Sequence, residues 1–376
     1  MKNYVRNILR LNKEGRMIIF IVTLLSIIGI FSIYNASNIW SNYLYNDEYY
    51  YFKRQIIYFI IGLFIMFIIS KFNLEFIYKK ALLLEFIGIF LLILVLIPGI
   101  GIVKNGSQSW FGFGGFSFQP AELFKIISII YVSKSLGDNY SNNKKMYHLL
   151  STLILPLLGF LLILIQPDFG SGIVMISAII VMSLMSKIKF KNFIYIGLLG
   201  LFAIIIMIIS EPYRIERIIA YIDPFSDPLG SGFQIIQSLF ALSPGGILGK
   251  GINSSIQKHF YLPEPQTDFI FAIISEEYGL IGSLLIIILF GLLFYYGLNL
   301  SIKQKEYKYC LLIIGIISLI AVQVIINLGV VVGLLPVTGI TLPFISYGGS
   351  SLIILYISIG LLLNLAKEDN NWIYWL

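Results

Sequence analysis

Cysteine, histidine and charge are all scarce in this chain of 376 residues. The single cysteine, Cys310, excludes an intramolecular disulfide and any cysteine-based metal cluster. With only two histidines, His148 and His259, a histidine-rich metal site is not expected. Charged residues make up 12% of the chain, about half of their share in soluble domains. The composition therefore argues against a soluble protein.

Long apolar runs occur from one end of the chain to the other. Hydrophobic residues make up 58% of the sequence, and the mean hydropathy is +0.90. A membrane helix needs about 20 apolar residues, so the runs predict an all-α polytopic membrane protein, a single membrane domain over residues 1–376. We expect ten spans, at 17–36, 55–71, 81–99, 119–135, 148–166, 169–186, 192–210, 269–299, 310–333 and 344–365. The first run lacks a small-residue cleavage site, so it is expected to be retained as a helix.

The basic residues indicate how the spans are oriented. With the N-terminus in the cytoplasm, most Lys and Arg fall in the inner loops near 72–80, 137–147, 187–191 and 300–309 and in the termini. This is the positive-inside pattern, which explains the net charge of +7 without nucleic acid as a partner. Both termini are thus predicted to be cytoplasmic. The long loop 211–268, between spans seven and eight, is predicted to face outward.

Two outer loops are long. The glycine-rich loop 100–118 has no preceding strand and no G-x-G-x-x-G, so a reentrant or packed loop is expected there and not a phosphate site. In loop 211–268, apolar residues at helical spacing predict a short amphipathic helix from Gln234 to Leu242 along the membrane surface. Gln234, Gln237 and Ser238 are expected on its polar side, and Pro244-Gly245-Gly246 should end it.

Asp268 lies where loop 211–268 meets the eighth span. Pro263 and Pro265 disfavour helix in the residues before them, so residues 262–266 are expected to be extended. Thr267 or Asp268 then suits the helix N-cap. From the local sequence alone, capping is the more ordinary role for Asp268, and chemistry is the less common one.

Several other ionisable or irregular positions are unusual for a membrane. Glu122 and Lys125 share a helix face, either as a structural ion pair or as a polar feature of a cavity. Asp168 either caps the sixth span or lines an outer site. Glu276-Glu277 should face protein or water, and Glu85 has no evident local partner. Segment 333–351, which contains Ser346, breaks helix near membrane depth and should pack on protein or line a cavity.

Five long segments resemble one family throughout, the SEDS proteins of bacterial cell-wall synthesis, which include FtsW, RodA and SpoVE. They are NGSQSWFGFGGFSFQPAELFK, QPDFGSG, IDPFSDPLGSGFQIIQSLFALSPGG, YLPEPQTDFIFAIISEE and NLGVVVGLLPVTGITLPFISYGGSS. The wording of the first and fourth is closer to the division and sporulation branch than to RodA. The resemblance implies a peptidoglycan glycosyltransferase that polymerises lipid II at the outer face of the cytoplasmic membrane.

The resemblance also assigns residues. It implies that Asp268 is the essential acid, the general base that takes the proton of the acceptor hydroxyl, with inversion at the donor carbon. Ala121, His259 and Tyr278 depart from the usual family residues. These departures leave the expected role of Asp268 unchanged. The expected substrate-binding residues are Glu122, Lys125, Asp168, Arg214, Arg217, Gln234, Gln237, Lys258, Glu264 and Ser346.

The leaving-group cation and the competing functions stay open at this stage. The cation that neutralises the diphosphate leaving group could be Arg214, Arg217, Lys258 or a divalent ion such as Mg²⁺ or Mn²⁺. The implied partner is a class B penicillin-binding protein, a transpeptidase that cross-links the new strand. The competing functions are a lipid II flippase, a RodA-like elongation polymerase and a non-catalytic scaffold.

Overall fold

The computed structural model describes residues 11–104, 106–113, 116–138, 146–186 and 219–367. The predicted seventh span, 192–210, lies outside these residues, as do Arg214 and Arg217. In chain order the helices are α1 (Lys13–Tyr45), α2 (Tyr50–Lys71), α3 (Leu74–Lys79), α4 (Ala81–Val95), α5 (Pro120–Asp138), α6 (Met146–Ile165), α7 (Phe169–Leu184), α8 (Phe233–Leu242), α9 (Ile270–Ile302), α10 (Tyr307–Val331) and α11 (Gly349–Leu365).

The membrane-spanning fold class is confirmed. Nine of the ten predicted spans correspond to helices within the described residues. Five of those helices are long and apolar enough to cross a membrane, and α4, α7 and α11 are shorter apolar helices. At 1.5 Å per residue, the 33 residues of α1 exceed a bilayer core of about 30 Å. The outer end of α1 therefore reaches the large outer loop.

Helix α10 lies near the centre of the bundle and packs against α5, α7 and α9. Helix α11 packs along α2, α9 also packs along α1, and α4 packs on α5 and α6. The side chains between them form one continuous apolar core, which includes Phe124, Phe290 and Tyr356. This arrangement leaves the outer segments to pack on each other over the outer ends of the helices.

The loop at 100–118 contains a small sheet, which the sequence did not predict. Three antiparallel strands follow one another in the order β1 (Ile102–Lys104), β2 (Ser107–Phe113) and β3 (Phe116–Phe118). Val103 pairs with Gln108, and Gly112 pairs with Ser117. Paired strands satisfy backbone groups that a disordered loop at the membrane boundary would leave exposed. The expected packed loop therefore contains a small sheet of its own.

Candidate functional site

Asp268 lies at the mouth of α9, but it does not cap that helix. Phe269 is the N-cap residue, with no side-chain cap hydrogen bond, so the predicted cap at Thr267 or Asp268 was wrong. The Asp268 side chain is half-buried. Its Oδ1 accepts a hydrogen bond from Thr267 Oγ1 at 2.9 Å, and the same hydroxyl lies 2.7 Å from the carbonyl oxygen of Glu264. Because a hydroxyl carries one hydrogen, the two acceptors compete for it.

The segment before Asp268 is turned, not extended. Glu264 has a φ of +42°, and the Thr267 amide donates to the Glu264 carbonyl at 3.0 Å. Leu262 and Gln266 are buried, and the Leu262 amide donates to the Gln257 carbonyl at 3.0 Å. Burial of these side chains outweighs the local preference that the two prolines impose, so the extended prediction for 262–266 was wrong. The Glu264 side chain is exposed at the surface of this turn.

The irregular segment 334–348 packs directly on the turn that carries Asp268. The Tyr347 amide donates to the Gln266 carbonyl at 2.9 Å. Asn327 of α10 donates from Nδ2 to the carbonyl of Asp268 at 2.6 Å and to the carbonyl of Ile340 at 2.8 Å. Ser346 is buried, and its Oγ accepts from the Leu342 amide at 2.8 Å, which closes a tight turn. The expectation that broken backbone near membrane depth packs on protein is confirmed for this segment.

A second polar cluster lies at the outer end of α5 and α7. Lys125 Nζ lies 2.7 Å from Glu122 Oε1, and both side chains are buried. Gln119 Nε2 donates to Asp168 Oδ2 at 2.5 Å, and Asp168 Oδ1 accepts from the Ser171 amide at 3.1 Å. Asp168 therefore caps α7, as one of its two predicted roles required.

Burial raises the pKa of the Asp168 carboxyl, although its hydrogen bonds from Ser171 and the charge of Lys125 oppose that rise. Lys125 is thus paired with Glu122, and its charge also acts on the Asp168 carboxyl. Ion pairing of this kind is what lets ionisable residues exist inside a membrane bundle. The predicted pairing of Glu122 with Lys125 is confirmed, and its role in substrate binding stays a prediction.

Segment 334–348 also connects the two clusters. A Cβ atom on Gly170, in the first turn of α7, would lie 2.8 Å from Ile340 Cγ1 and 3.0 Å from the Thr338 carbonyl oxygen. Only glycine lets the segment approach so closely. Asp168 at the start of α7 and Asp268 at the start of α9 therefore flank the same piece of irregular backbone.

Helix α9 is broken at Gly279, which the sequence did not predict. Gly279 has φ +64° and ψ −157°, outside the helical region. The interrupted helical hydrogen bonds, from 280 to 276 and from 281 to 277, are replaced by four backbone bonds to the outer loop. They join Lys250 N to Glu276 O, Gly251 N to Glu277 O, Leu280 N to Gly246 O and Ile281 N to Ile247 O, at 2.9–3.2 Å.

Glu276 and Glu277 hold the same loop by their side chains. Glu276 accepts from Lys250 Nζ at 3.1 Å and from Ser255 Oγ at 2.5 Å. Glu277 accepts from Asn35 of α1 at 3.0 Å and lies 3.8 Å from Lys258 Nζ. The expectation that this acid pair faces protein or water is confirmed, since both carboxylates face protein.

Lys258 is 2% exposed, and its Nζ also donates to the backbone and side-chain oxygens of Asn253. Burial lowers the pKa of its ammonium, and the neighbouring Glu277 and Glu276 oppose that change. In this conformation Lys258 holds the loop to α9 and does not present its charge to the outer surface. Its predicted contact with substrate stays a prediction.

The amphipathic helix in the outer loop is confirmed. It is α8, and the 3-10 turn Ser243–Gly245 follows it, as the Pro-Gly-Gly signal predicted. Gln234 and Gln237 are half-buried. Ser238 is fully buried and donates to the Val331 carbonyl at 2.8 Å, so it ties α8 to the end of α10 and does not belong to a solvent-facing side.

An apolar groove of about 330 Å³ opens between α2, β3, α5 and α11. Its lining includes Tyr58, Phe118, Leu123 and Ile353. One helical turn before Tyr58, Arg54 stacks on the ring of Tyr50, 4.4 Å from its centroid, and hydrogen-bonds Tyr347. The groove thus has an arginine at its outer end.

Lys104 of β1 adds a second cation to this neighbourhood. Burial lowers the pKa of its ammonium; the charge of Glu264 opposes this change, and that of Arg54 adds to it. Lys104 Nζ also lies 4.9 Å from the centroid of the Trp110 ring. Two outer cations, Arg54 and Lys104, therefore lie near the turn that carries Asp268.

A family model for cell cycle proteins, FtsW/RodA/SpoVE, matches residues 15–371. The chain belongs to that family. Its relatives include stage V sporulation protein E of Bacillus subtilis, 46% identical over 93% of this chain and 96% of the relative. The probable peptidoglycan glycosyltransferase FtsW of Wigglesworthia glossinidia brevipalpis is 38% identical over 96% of this chain and 95% of that protein.

Solved structures of the FtsW/RodA/SpoVE family share the fold. A chain of a peptidoglycan synthase complex, described for its coordination of polymerization and crosslinking, has a TM-score of 0.75 at 29% identity. That match covers 93% of this chain and 96% of the other. Rod shape determining protein RodA of Thermus thermophilus has a TM-score of 0.69 at 25% identity, covering 94% and 97%. The predicted family and the predicted enzyme class, a glycosyltransferase, are confirmed.

Sequence reasoning missed four residues that shape this candidate site. Asn327 was hidden because a neutral amide inside an apolar helix gives no local signal of a distant partner, and Gln119, just before α5, gives none either. Sequence reasoning assigned no role to Arg54 or Lys104. Ser128 Oγ donates to Glu85 Oε1 at 2.9 Å, which supplies the partner that the sequence left unassigned.

Among the residues that the structure describes, no three carboxylate, imidazole or thiol groups converge to hold a metal ion.

Proposed function

We propose that this protein polymerises lipid II into β-1,4 glycan strands at the outer face of the bacterial cytoplasmic membrane, with Asp268 as the general base. The position of Asp268 carries the proposal. Its carboxylate stands at the mouth of a span, half-buried, and it does not cap the helix that follows. Asn327 of α10 and Tyr347 of segment 334–348 hold the backbone of this turn in place. A carboxylate placed in this way suits proton abstraction from a hydroxyl group at the membrane boundary.

The chemistry requires one base and one leaving group. Asp268 takes the proton from the GlcNAc 4-hydroxyl of the acceptor as its oxygen attacks the anomeric carbon of the donor. The bond from that carbon to the undecaprenyl diphosphate breaks, and its electron pair leaves with the diphosphate. Attack from the opposite face inverts the α-linked donor into a β-linked product. Because the diphosphate is a good leaving group, no second carboxylic acid is needed to protonate it.

The apolar groove suits the lipid part of such a substrate. It opens between helices, where a polyprenyl chain can lie among apolar side chains. Arg54 and Lys104 at the outer side are placed to neutralise the departing diphosphate, a role that electrostatic catalysis requires. Of the residues expected for this role, Lys258 is buried, and Arg214 and Arg217 lie outside the described residues, so their part in it stays a prediction.

A divalent cation, Mg²⁺ or Mn²⁺, is a further candidate for the same charge. The described residues do not bring together a ready set of ligands for such an ion. No step of the mechanism is assigned to such an ion.

The orientation follows from the charges and from the chain ends. The Asn12 amide donates to the Ala366 carbonyl at 2.9 Å, so the two ends of the described chain lie side by side. Both termini are then on one side, which the positive-inside pattern assigns to the cytoplasm. We further propose septal wall synthesis as the setting and a class B penicillin-binding protein as the partner, since a relative of known structure belongs to a peptidoglycan synthase complex.

The test is a comparison of two activities of the purified chain with its cognate transpeptidase. Lipid II is supplied in detergent and glycan strands are separated by size, while fluorescent lipid II in liposomes reports translocation. Glycan synthesis supports the polymerase. Translocation without glycan synthesis, under conditions in which a related polymerase is active, would instead establish the flippase.

A further inference from the structure

Asn327 joins the two segments that surround Asp268. It lies in the last turns of α10 and is 1% exposed. Its Nδ2 group has two hydrogens, and the two acceptors are the backbone carbonyls of Asp268 and Ile340, at 2.6 and 2.8 Å. Since both partners are carbonyl oxygens, only the amide nitrogen can face them, and this fixes the orientation of the side chain.

Asn327 contributes to this contact only as a hydrogen-bond donor. Its Oδ1 accepts no hydrogen bond from the part of the chain that the structure describes. Asp268 lies one residue before Phe269, the N-cap of α9, and its side chain accepts a hydrogen bond from Thr267. The bond from Asn327 to the Asp268 carbonyl, with the bond between Tyr347 and Gln266, therefore fixes the backbone from which the carboxylate projects.

The second bond of Asn327 leads to the other polar cluster. Ile340 packs against Gly170 in the first turn of α7, the helix that Asp168 caps. One amide group thus sets the position of the Asp268 backbone relative to the segment that also contacts the outer end of α7. A shift of that segment would change the distance between Asp268 and the cluster of Gln119, Lys125 and Asp168.

We propose that Asn327 is a positioning residue for the polymerase reaction, which holds Asp268 at the spacing from segment 334–348 that proton abstraction needs. The inference rests on the proposed function. Asn327 does not act on the substrate itself, so its loss should lower the rate of the chemical step and leave substrate binding nearly intact. Displacing a catalytic group by about 1 Å can cost on the order of 100-fold in rate.

The chain offers a matched control in Asn364 of α11. Asn364 Nδ2 also donates to two backbone carbonyls, those of Ile69 and Phe72, at 3.1 and 2.6 Å. That bridge lies at the opposite end of the bundle from Asp268. Asn327→Leu and Asn364→Leu therefore each remove a pair of hydrogen bonds from one amide to two backbone carbonyls, by the same change of side chain. One pair lies beside the candidate base and the other lies far from it.

The experiment measures kcat and KM for lipid II, together with thermal unfolding, for wild type, Asn327→Leu, Asn364→Leu and Asp268→Ala, each with the cognate transpeptidase. Asn327→Leu should lose about 100-fold in kcat with KM within about threefold, and Asn364→Leu should keep kcat within about threefold. Asn327→Ser, which retains one donor, should recover part of kcat and serves if the leucine variant does not fold.

Wild-type kcat in Asn327→Leu, a change confined to KM, or an equal loss of kcat in Asn364→Leu would overturn the inference. Those results leave the proposed function standing as long as wild type makes glycan and Asp268→Ala does not. If wild type makes no glycan where a related polymerase does, the proposed function fails, and the positioning role of Asn327 fails with it.

Discussion

Removal of the Lys125 ammonium should unfold the outer end of the bundle more than loss of any surface charge. Lys125 Nζ lies 2.7 Å from Glu122 Oε1, with side-chain exposures of 2% and 9%. At that distance and an effective dielectric constant of about 20, the attraction is roughly 6 kcal/mol before desolvation offsets part of it. In Lys125→Met the Glu122 carboxylate is left buried without its cation, and breaking such pairs costs about 3–5 kcal/mol.

The assay is equilibrium or thermal unfolding in detergent across a double-mutant cycle. Lys125→Met should be strongly destabilised, and Glu122→Leu combined with Lys125→Met should recover at least half of the loss, because no uncompensated charge remains. Lys53→Met provides the control. Its ion pair with Asp47 has nearly the same length, 2.8 Å, but lies at the surface, where such pairs contribute little.

A neutral Lys125→Met, or a double variant as unstable as the single one, would refute this reasoning. The double variant also separates the two interpretations that the sequence left open. If the pair serves substrate binding, the double variant should fail to polymerise lipid II even though its stability has recovered. Glycan synthesis at the wild-type rate would assign the pair a purely structural role.

Three further changes test other parts of the structure. Gly279→Ala adds a Cβ at φ +64° that collides with loop backbone, so it should lower the unfolding temperature and speed protease cleavage within 245–258. Lys258→Met should destabilise by about 3–5 kcal/mol, with recovery when combined with Glu277→Gln, as unfolding measurements would report. The pKa of Lys258 is lower in the folded chain than its usual 10.5, so between the two values the unfolded chain binds more protons than the folded chain. The free energy of unfolding should therefore rise with pH in that interval, and Lys258→Met should abolish the rise. Ile353→Trp should fill the groove and raise KM for lipid II while sparing an analogue with a short lipid chain, and equal effects on both substrates would exclude the groove as the lipid site.

The spans were predictable because the bilayer imposes a simple rule. Any segment that crosses it must be apolar and must satisfy its own backbone, so hydropathy alone located the helices to within a few residues in most cases. The exceptions have local causes. Helix α1 continues to Tyr45, beyond the predicted end at 36, because its outer end packs on the outer loop, where Asn38 donates a hydrogen bond to Asn253. Helix α11 begins at Gly349, since 344–348 belong to the broken segment.

Candidate residues of the site could be predicted only where a charged residue stands out in an apolar sequence. A carboxylate at the mouth of a span, or an acidic and a basic residue three positions apart, is such a case. The break at Gly279 does not, because the bonds that replace the helical ones come from residues 246–251, some 30 positions away in the chain. Asn327 is likewise an ordinary amide until its two distant carbonyl partners are known. Long-range backbone contacts are what the sequence pattern lacks.

The most direct test of the central claim is the polymerisation rate of Asp268→Asn. The amide has nearly the same shape as the carboxylate, so folding should be preserved, while it is too weak a base to accept the acceptor's proton. General bases typically contribute 10²–10⁴-fold, so the account predicts a loss of about that size in kcat, with an unchanged unfolding temperature and nearly unchanged KM for lipid II. Glycan synthesis by Asp268→Asn at the wild-type rate would contradict the assignment of Asp268 as the base.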